Sequence, residues 1–211
     1  IINIFGIGVK MFKGQLRNYQ QETIEFIKHK PSVLIGHDMG TGKTCICLNY
    51  CELVKQQNLN KVLILCPSPI INTWKEEIEK WTNSSYVIIE GSPIQRKEQW
   101  QKDVYYYITN YEKLRTDTII FERKWGIIIA DEVTKLKSMN SQLTRQASKL
   151  KAFKRIALSG FPIHNSPTDL YSIVSFFVFP YYFGKYQTFR ERYIETELTE
   201  IGDKTFYQVI G

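Results

Sequence analysis

A chain of 211 residues with 43% hydrophobic and 14% aromatic content has enough apolar mass for a sizeable core, and its length suits one domain rather than two. Lys and Arg number 28 against 21 Asp and Glu, a net charge of +7 that suits contact with a polyanion without demanding one. No apolar run approaches the roughly 18 residues of a membrane helix, so a membrane span is not supported.

Cys45, Cys47, Cys51 and Cys66 form no C-x-x-C pair, and His29, His37 and His164 make no ligand spacing, which leaves a disulfide framework or a metal centre without a pattern. Small buried thiols in a reducing compartment are expected, with the cytoplasm, nucleoid or nucleus as the default location. The opening Ile1-Ile2-Asn3 lacks a methionine and a basic-then-apolar leader, and the chain stops on a strand-like run at 206–211, so both ends are expected to be cut points.

Leu16, Tyr19, Thr23, Ile24, Phe26 and Ile27 recur at near-helical spacing, which predicts a first helix ending near Lys30-Pro31. The apolar run 33–36 follows as a buried strand, then a Gly-rich segment over 38–44, then a helix that takes in Cys45, Cys47 and Cys51. A strand is predicted over 61–66. The helix after it, 70–81, sets Ile70, Ile71, Trp74, Ile78 and Trp81 on one face and Lys75, Glu76, Glu77 and Lys80 on the other. Its two tryptophans read as core rather than as base-stacking groups. Strands over 86–89, 104–108, 126–130 and 155–158 come next, and the apolar segment 172–183, broken by Pro180, reads as a buried helix and turn. Strands alternating with helices imply right-handed crossovers, hence an α/β three-layer fold around a mostly parallel central sheet.

The segment Asp38-Met39-Gly40-Thr41-Gly42-Lys43-Thr44 reads as a phosphate-gripping loop between a strand and a helix. Gly40 and Gly42 let the backbone curl so that amide N–H groups and a helix N-terminus face an anion, while Lys43 supplies a point charge and Thr44 a hydroxyl for Mg²⁺. A strict loop of this kind has glycine at the place of His37, so the match is to a looser, helicase-like version. The substrate class it implies is a nucleoside triphosphate. The run Trp125-Gly126-Ile127-Ile128-Ile129-Ala130 ends in Asp131-Glu132, two carboxylates delivered to the C-terminal end of a buried strand, where open parallel sheets bind ligands. Asp131 can hold Mg²⁺ through water and Glu132 can polarise the water that attacks a γ-phosphate.

In order, Leu16-Arg17-Asn18-Tyr19-Gln20, the loop 38–44, Leu65-Cys66-Pro67-Ser68 with Trp74 and Trp81, Ile108-Thr109-Asn110-Tyr111-Glu112, 131–138 and 158–165 resemble the motifs of superfamily 2 helicase-like ATPases, the Swi/Snf type in particular. That family carries L-R-P-Y-Q, D-E-M-G-x-G-K-T, C/A-P-x-S-x-x-x-N-W-x-x-E, I-T-x-Y-E, D-E-A-H-x-x-K-N and L-T-G-T-P-I-x-N. The resemblance runs from about Leu16 to about Tyr193 and covers one RecA-like lobe of a P-loop NTPase. It implies a second lobe, absent from this chain, that completes the ATP site with an arginine finger, and slow turnover by this lobe alone.

The resemblance also implies roles. Gln20 would contact adenine; Met39, Gly40, Thr41, Gly42, Lys43 and Thr44 would hold the nucleotide; Thr44 and Asp131 would take Mg²⁺; Glu132, Lys43 and Asp131 would carry hydrolysis. Ser68, Thr109, Asn110 and Lys137 would line the nucleic-acid track, and Thr134, Ser159 and Gly160 would couple it to the ATP site. From the residues alone Gln20 is equally a solvated helix glutamine, and Ser68, Thr109 and Asn110 are equally post-strand caps or turn residues. Lys135 and Lys137, and the basic cluster Lys149, Lys151, Lys154 and Arg155, face phosphates or make a solvated helix face.

Three departures bear on coupling. Asn18 replaces a proline, Thr134 stands where D-E-A-H has histidine, and Phe161 replaces the second threonine of L-T-G-T-P, either removing a reporting hydroxyl or packing in an interface between lobes. The function implied is ATP-driven translocation on double-stranded DNA. The alternatives are a strand-separating helicase of the same superfamily on DNA or RNA, a non-hydrolysing binding module for nucleic acid or protein, and a small-molecule P-loop kinase, against which the ordered later motifs count.

Overall fold

The computed structural model describes residues 12–55, 61–163, 166–180 and 182–194 in full, and the backbone alone for 196–201 and 204–209. The chain runs α1 (Asn18–Lys28), β1 (Ser32–Ile35), α2 (Lys43–Val54), β2 (Val62–Cys66), α3 (Ile71–Trp81), β3 (Tyr86–Ile88), α4 (Pro93–Gln101), β4 (Tyr106–Asn110), the short α5 (Lys113–Thr116) and α6 (Ile119–Glu122), and β5 (Lys124–Ala130). It continues through α7 (Gln142–Ser148), β6 (Lys151–Leu158), α8 (Pro167–Ile173) with one wider turn over Val174–Val178, α9 (Tyr186–Tyr193) and the hairpin β7 (Thr196–Ile201) and β8 (Lys204–Val209).

Six strands form one open sheet in the order β1-β6-β5-β2-β4-β3, and every pairing in it is parallel. Both faces are covered. Ile127 and Ile129 of β5 pack with α1, α2 and α3 in one apolar core, while Ile128 and Ala130 point the other way into a core shared with Trp100, Leu143 and Phe177. Side chains that alternate between two buried faces explain why these strands read as continuous apolar runs rather than as polar–apolar alternation. Trp74 and Ile78 are buried as the helical spacing predicts. Among the described residues no helix is long and apolar enough to cross a membrane.

Every strand of the sheet departs by one to four residues from its expected bounds, and in two of them the shift changes the reading of particular side chains. β4 begins two residues later than the apolar run suggests and extends to Asn110, because Tyr106 pairs with Val62 at the start of β2 while the Tyr105 hydroxyl donates to the Cys51 carbonyl at 2.7 Å. β6 starts at Lys151, so Lys151, Lys154 and Arg155 lie on a strand and not on a helix face. Lys154 is buried beneath α1, its ammonium donating to the Ile27 carbonyl and standing 4.7 Å from the Tyr50 ring centre. Arg155 donates to the Phe177 carbonyl at 2.9 Å. Both cations are therefore structural, which corrects their expected placement among phosphate-facing or solvated groups.

A buried ion pair pins α4 to the turn before α6. Arg96 donates to both oxygens of Asp117, its nitrogens 2.9 to 3.1 Å away, and the Trp100 indole adds a third donor at 2.9 Å. Burial raises the Asp117 carboxyl pKa, but the bonds from Arg96, Trp100 and Thr116 outweigh it and leave the group below the usual aspartate value. A depressed carboxyl stabilises the fold above its unfolded pKa and loses that contribution as pH falls through the folded value. Asp117→Asn should cost about 3–5 kcal/mol in urea unfolding at neutral pH, since it strands Arg96 in the interior. The variant should also show a shallower loss of stability between neutral and acid pH than the parent.

Candidate nucleotide site and nucleic-acid edge

Because all six strands are parallel, their C-terminal ends share one edge, and the residues that follow β1, β2, β5 and β6 meet there together with the last residue of β4. After β1 the chain curls through Gly40 at φ 77° and Gly42 at φ 78° into α2, whose first residue is Lys43. At Gly40 and Gly42 the left-handed conformation favours glycine, and at Gly42 a Cβ would also lie 2.7 Å from Gln20 Nε2 and push that amide aside. The Lys43 ammonium donates to the carbonyls of His37 at 2.7 Å and Asp38 at 2.9 Å, and the Thr41 hydroxyl donates to Asp38 at 2.8 Å. Thr44 and Met39 flank this turn, the first half-buried and the second exposed.

The loop is clamped from α1. Gln20 is buried, its Nε2 donates to the Thr41 carbonyl at 3.1 Å and its Oε1 accepts from Arg17 N at 2.9 Å, while the Tyr19 hydroxyl donates to the same Thr41 carbonyl at 2.8 Å. A solvated glutamine is thus excluded, and Tyr19 is a second clamp that its apolar helical spacing hid. An open cleft of about 610 Å³ lined by Leu16, Gln21 and Asn49 lies beside this clamp.

Asp131 follows β5 and faces the loop across the edge. Its Oδ1 accepts from Glu132 N at 3.0 Å, its Oδ2 accepts from the Trp74 indole at 2.9 Å, and its main-chain carbonyl accepts from the Tyr111 hydroxyl at 2.8 Å. Burial pushes its carboxyl pKa up; the Trp74 and Glu132 bonds and the positive field of Lys43 pull the other way without cancelling the rise. Trp74, which helical spacing assigned to the core, and Tyr111, to which the sequence assigned no role of its own, are both site residues. Glu132 has φ 49° and ψ 54°, the only described non-glycine residue with positive φ. That left-handed conformation costs about 1–3 kcal/mol and is held by the buried Val133 and Leu136 of the following turn.

The segment after β6 leans on the phosphate loop. Ser159 is buried, its N–H donates to the Ile35 carbonyl at 3.2 Å and its hydroxyl accepts from Phe161 N at 3.1 Å. A Cβ on Gly160 would come within 3.2 Å of the Met39 side chain. Phe161 is 54% exposed and Met39 71%, so both side chains sit at the lobe surface and not within its core. Thr134 lies in the short turn Val133–Leu136, where its carbonyl accepts from Lys137 N at 3.1 Å, and Lys135 and Lys137 are exposed. His164 and Asn165 of the same expected motif lie outside the described residues.

On the far side of Asp131, Ser68 is exposed at the entry to α3 and its hydroxyl accepts from Asn110 Nδ2 at 3.0 Å. Thr109 behaves differently. The register of β4 buries its side chain completely, with the hydroxyl 3.5 Å from the Ile89 carbonyl, so no phosphate can reach it in this conformation and the expectation of a Thr109 contact is corrected.

Among the described residues no three His, Cys, Asp or Glu side chains come together as a metal cage. One buried carboxylate opposite a lysine and a glycine cradle instead suits Mg²⁺ brought in with a triphosphate, since that ion takes most of its ligands from phosphate and water. Thr44 and Asp131 are the residues that would hold it.

The family model described as the SNF2-related domain matches residues 17–209. The solved SWI2/SNF2 ATPase core of Sulfolobus solfataricus in complex with double-stranded DNA superposes with a TM-score of 0.79 at 28% identity, over 89% of this chain and 41% of that one. An uncharacterized ATP-dependent helicase of Mycoplasma pneumoniae is 31% identical over 94% of this chain and 20% of the relative, and human DNA repair and recombination protein RAD54B is 28% identical over 85% and 22%. The chain therefore spans about a fifth of the length of these two relatives. With its glycine-rich loop, acid pair and six-stranded parallel sheet, the chain belongs to the SNF2-related domain family and has the RecA-like fold of one lobe of the SWI2/SNF2 ATPase core to which it is similar.

Proposed function

We propose that the chain is the nucleotide-binding first lobe of a DNA-stimulated ATP hydrolase that translocates along duplex DNA, with a second RecA-like lobe of the full-length protein completing the site. The observation that carries this reading is that one edge of the sheet brings together the phosphate loop, Asp131-Glu132 and the exposed Ser68–Asn110 pair. The double-stranded DNA bound by the Sulfolobus neighbour supports the choice of duplex.

In this reading the α2 N-terminus and the Gly40–Gly42 turn receive the β- and γ-phosphates, and Lys43 exchanges its bonds to His37 and Asp38 for phosphate oxygens. Gln20 keeps the loop in register and places its amide beside the adenine. Mg²⁺, when bound with the triphosphate, neutralises the charge that develops on the leaving group. Glu132 orients and polarises the attacking water from its left-handed backbone position just after β5. Ser68, Asn110 and Lys137 grip a phosphate backbone with groups that read no bases. Ser159, Gly160 and Thr134 transmit the state of the loop, and Met39 with Phe161 presents an apolar surface to the second lobe. An isolated first lobe turns ATP over slowly for want of that partner, and the protein works where the DNA is, in nucleoid or nucleus.

The decisive experiment is ATP turnover by the full-length protein with duplex DNA, single-stranded DNA or RNA. Duplex should stimulate most; preference for a single strand or RNA would transfer the assignment to a strand-separating helicase, and nucleic-acid binding without turnover would leave a binding module. Glu132→Gln should lower kcat by about 10²–10⁴-fold while nucleotide binding is retained. Gly42→Ala should weaken nucleotide binding by about tenfold in a fluorescent-analogue titration, since alanine there is held in a disfavoured backbone conformation and its Cβ displaces the Gln20 amide. DNA affinity should fall steeply and linearly on a log–log plot against salt, with little dependence on sequence.

A further inference from the structure

Two aromatic donors that the hydrolytic chemistry does not require converge on one residue. The Trp74 indole bonds the Asp131 carboxylate at 2.9 Å and the Tyr111 hydroxyl bonds the Asp131 main-chain carbonyl at 2.8 Å. Both rings are buried, and phenylalanine would fill much of either volume, so packing alone does not account for the two donors. They act on different atoms. Trp74 fixes the orientation of the carboxylate, and Tyr111 fixes the peptide that leads into the left-handed Glu132.

The same two segments also meet at the surface. Ser68 opens the turn that enters α3, three residues ahead of the helix that carries Trp74, and Asn110 is the chain neighbour of Tyr111. Asn110 Nδ2 donates to the Ser68 hydroxyl at 3.0 Å, while Asn110 Oδ1 is buried and has no hydrogen-bond partner among the described residues. A phosphate, which offers only acceptors, would compete with the Ser68 hydroxyl for the Asn110 Nδ2 donor, so the pairing at this junction changes when a phosphate is gripped there. A shift there reaches Asp131 by two rigid routes, one helix start and one peptide unit.

We propose that Trp74 and Tyr111 are positioning residues that tie the Ser68–Asn110 junction to Asp131, so that a polymer phosphate gripped at the junction resets the metal-holding carboxylate and the adjoining Glu132. The inference rests on the DNA-stimulated reading above and supplies its route inside this lobe.

The test uses the full-length protein with Trp74→Phe and Tyr111→Phe, each checked for a cooperative thermal transition. Three quantities are compared with the parent: affinity for a fluorescent ATP analogue in Mg²⁺ and in EDTA, duplex affinity, and ATP turnover with and without duplex. Each variant should keep duplex affinity within about twofold and lose about tenfold of duplex-stimulated kcat, the effect of one lost bond to a charged or strained group. Trp74→Phe should also lose the gain in nucleotide affinity that Mg²⁺ confers, with affinity in EDTA unchanged; Tyr111→Phe should keep that gain. Full stimulation in Tyr111→Phe, or an equal fall of affinity in Mg²⁺ and EDTA for Trp74→Phe, would overturn the proposal in favour of packing alone. If Trp74→Phe does not fold, the result for Tyr111→Phe decides. A parent that duplex does not stimulate would overturn the motor reading and the relay together, whereas a stimulated parent with unaffected variants overturns the relay alone.

Discussion

Parallel pairing with both faces buried governs everything else in this lobe. Central strands whose side chains are inside, such as β2 and all of β5 after the exposed Lys124, have no lateral surface on which to display polar groups, so chemistry can gather only at strand ends. Parallel strands then put all C-terminal ends on one edge. The phosphate loop, the acid pair and the Ser68–Asn110 junction are far apart in sequence, and that single constraint makes them neighbours.

The edge is costly to hold. Asp131 is deep enough for desolvation to oppose its charge, Glu132 sits in a strained backbone region, and Lys43 is tied to carbonyls of its own loop. Each cost is offset by a specific partner. The Trp74 indole and the Glu132 amide satisfy the Asp131 carboxylate, the buried Val133 and Leu136 pin the turn after Glu132, and the carbonyls of His37 and Asp38 hold Lys43 where a phosphate would compete for it.

Much of this was legible in the residues. Gly40, Gly42, Lys43 and the 126–130 run with Asp131-Glu132 betray themselves through local chemistry, since glycine at positive φ and acids at a strand end are short-range requirements. The strand positions were legible within about two residues except for β6, which begins four residues before its expected start. What failed did so through register and burial. Thr109 lies in β4 and not after it, and a two-residue shift turned an expected surface hydroxyl into a buried one. Lys154 and Arg155 looked like a solvated basic face, yet they serve as long apolar stems capped by carbonyls of α1 and the turn after α8.

The sequence by itself determined the fold class, the phosphate loop and the acid pair, because each depends on the periodicity or conformational demands of contiguous residues. Only the tertiary structure decided that Tyr19 and Gln20 both clamp Thr41, that Gly160 abuts Met39, and that Trp74 and Tyr111 both end on Asp131. Those contacts join residues 20 or more positions apart, with Gly160 and Met39 more than 100 apart. An aromatic side chain at helical or strand spacing carries the same apolar signature whether or not its N–H or O–H meets a distant partner, so the donor's target becomes visible only when the sheet has assembled.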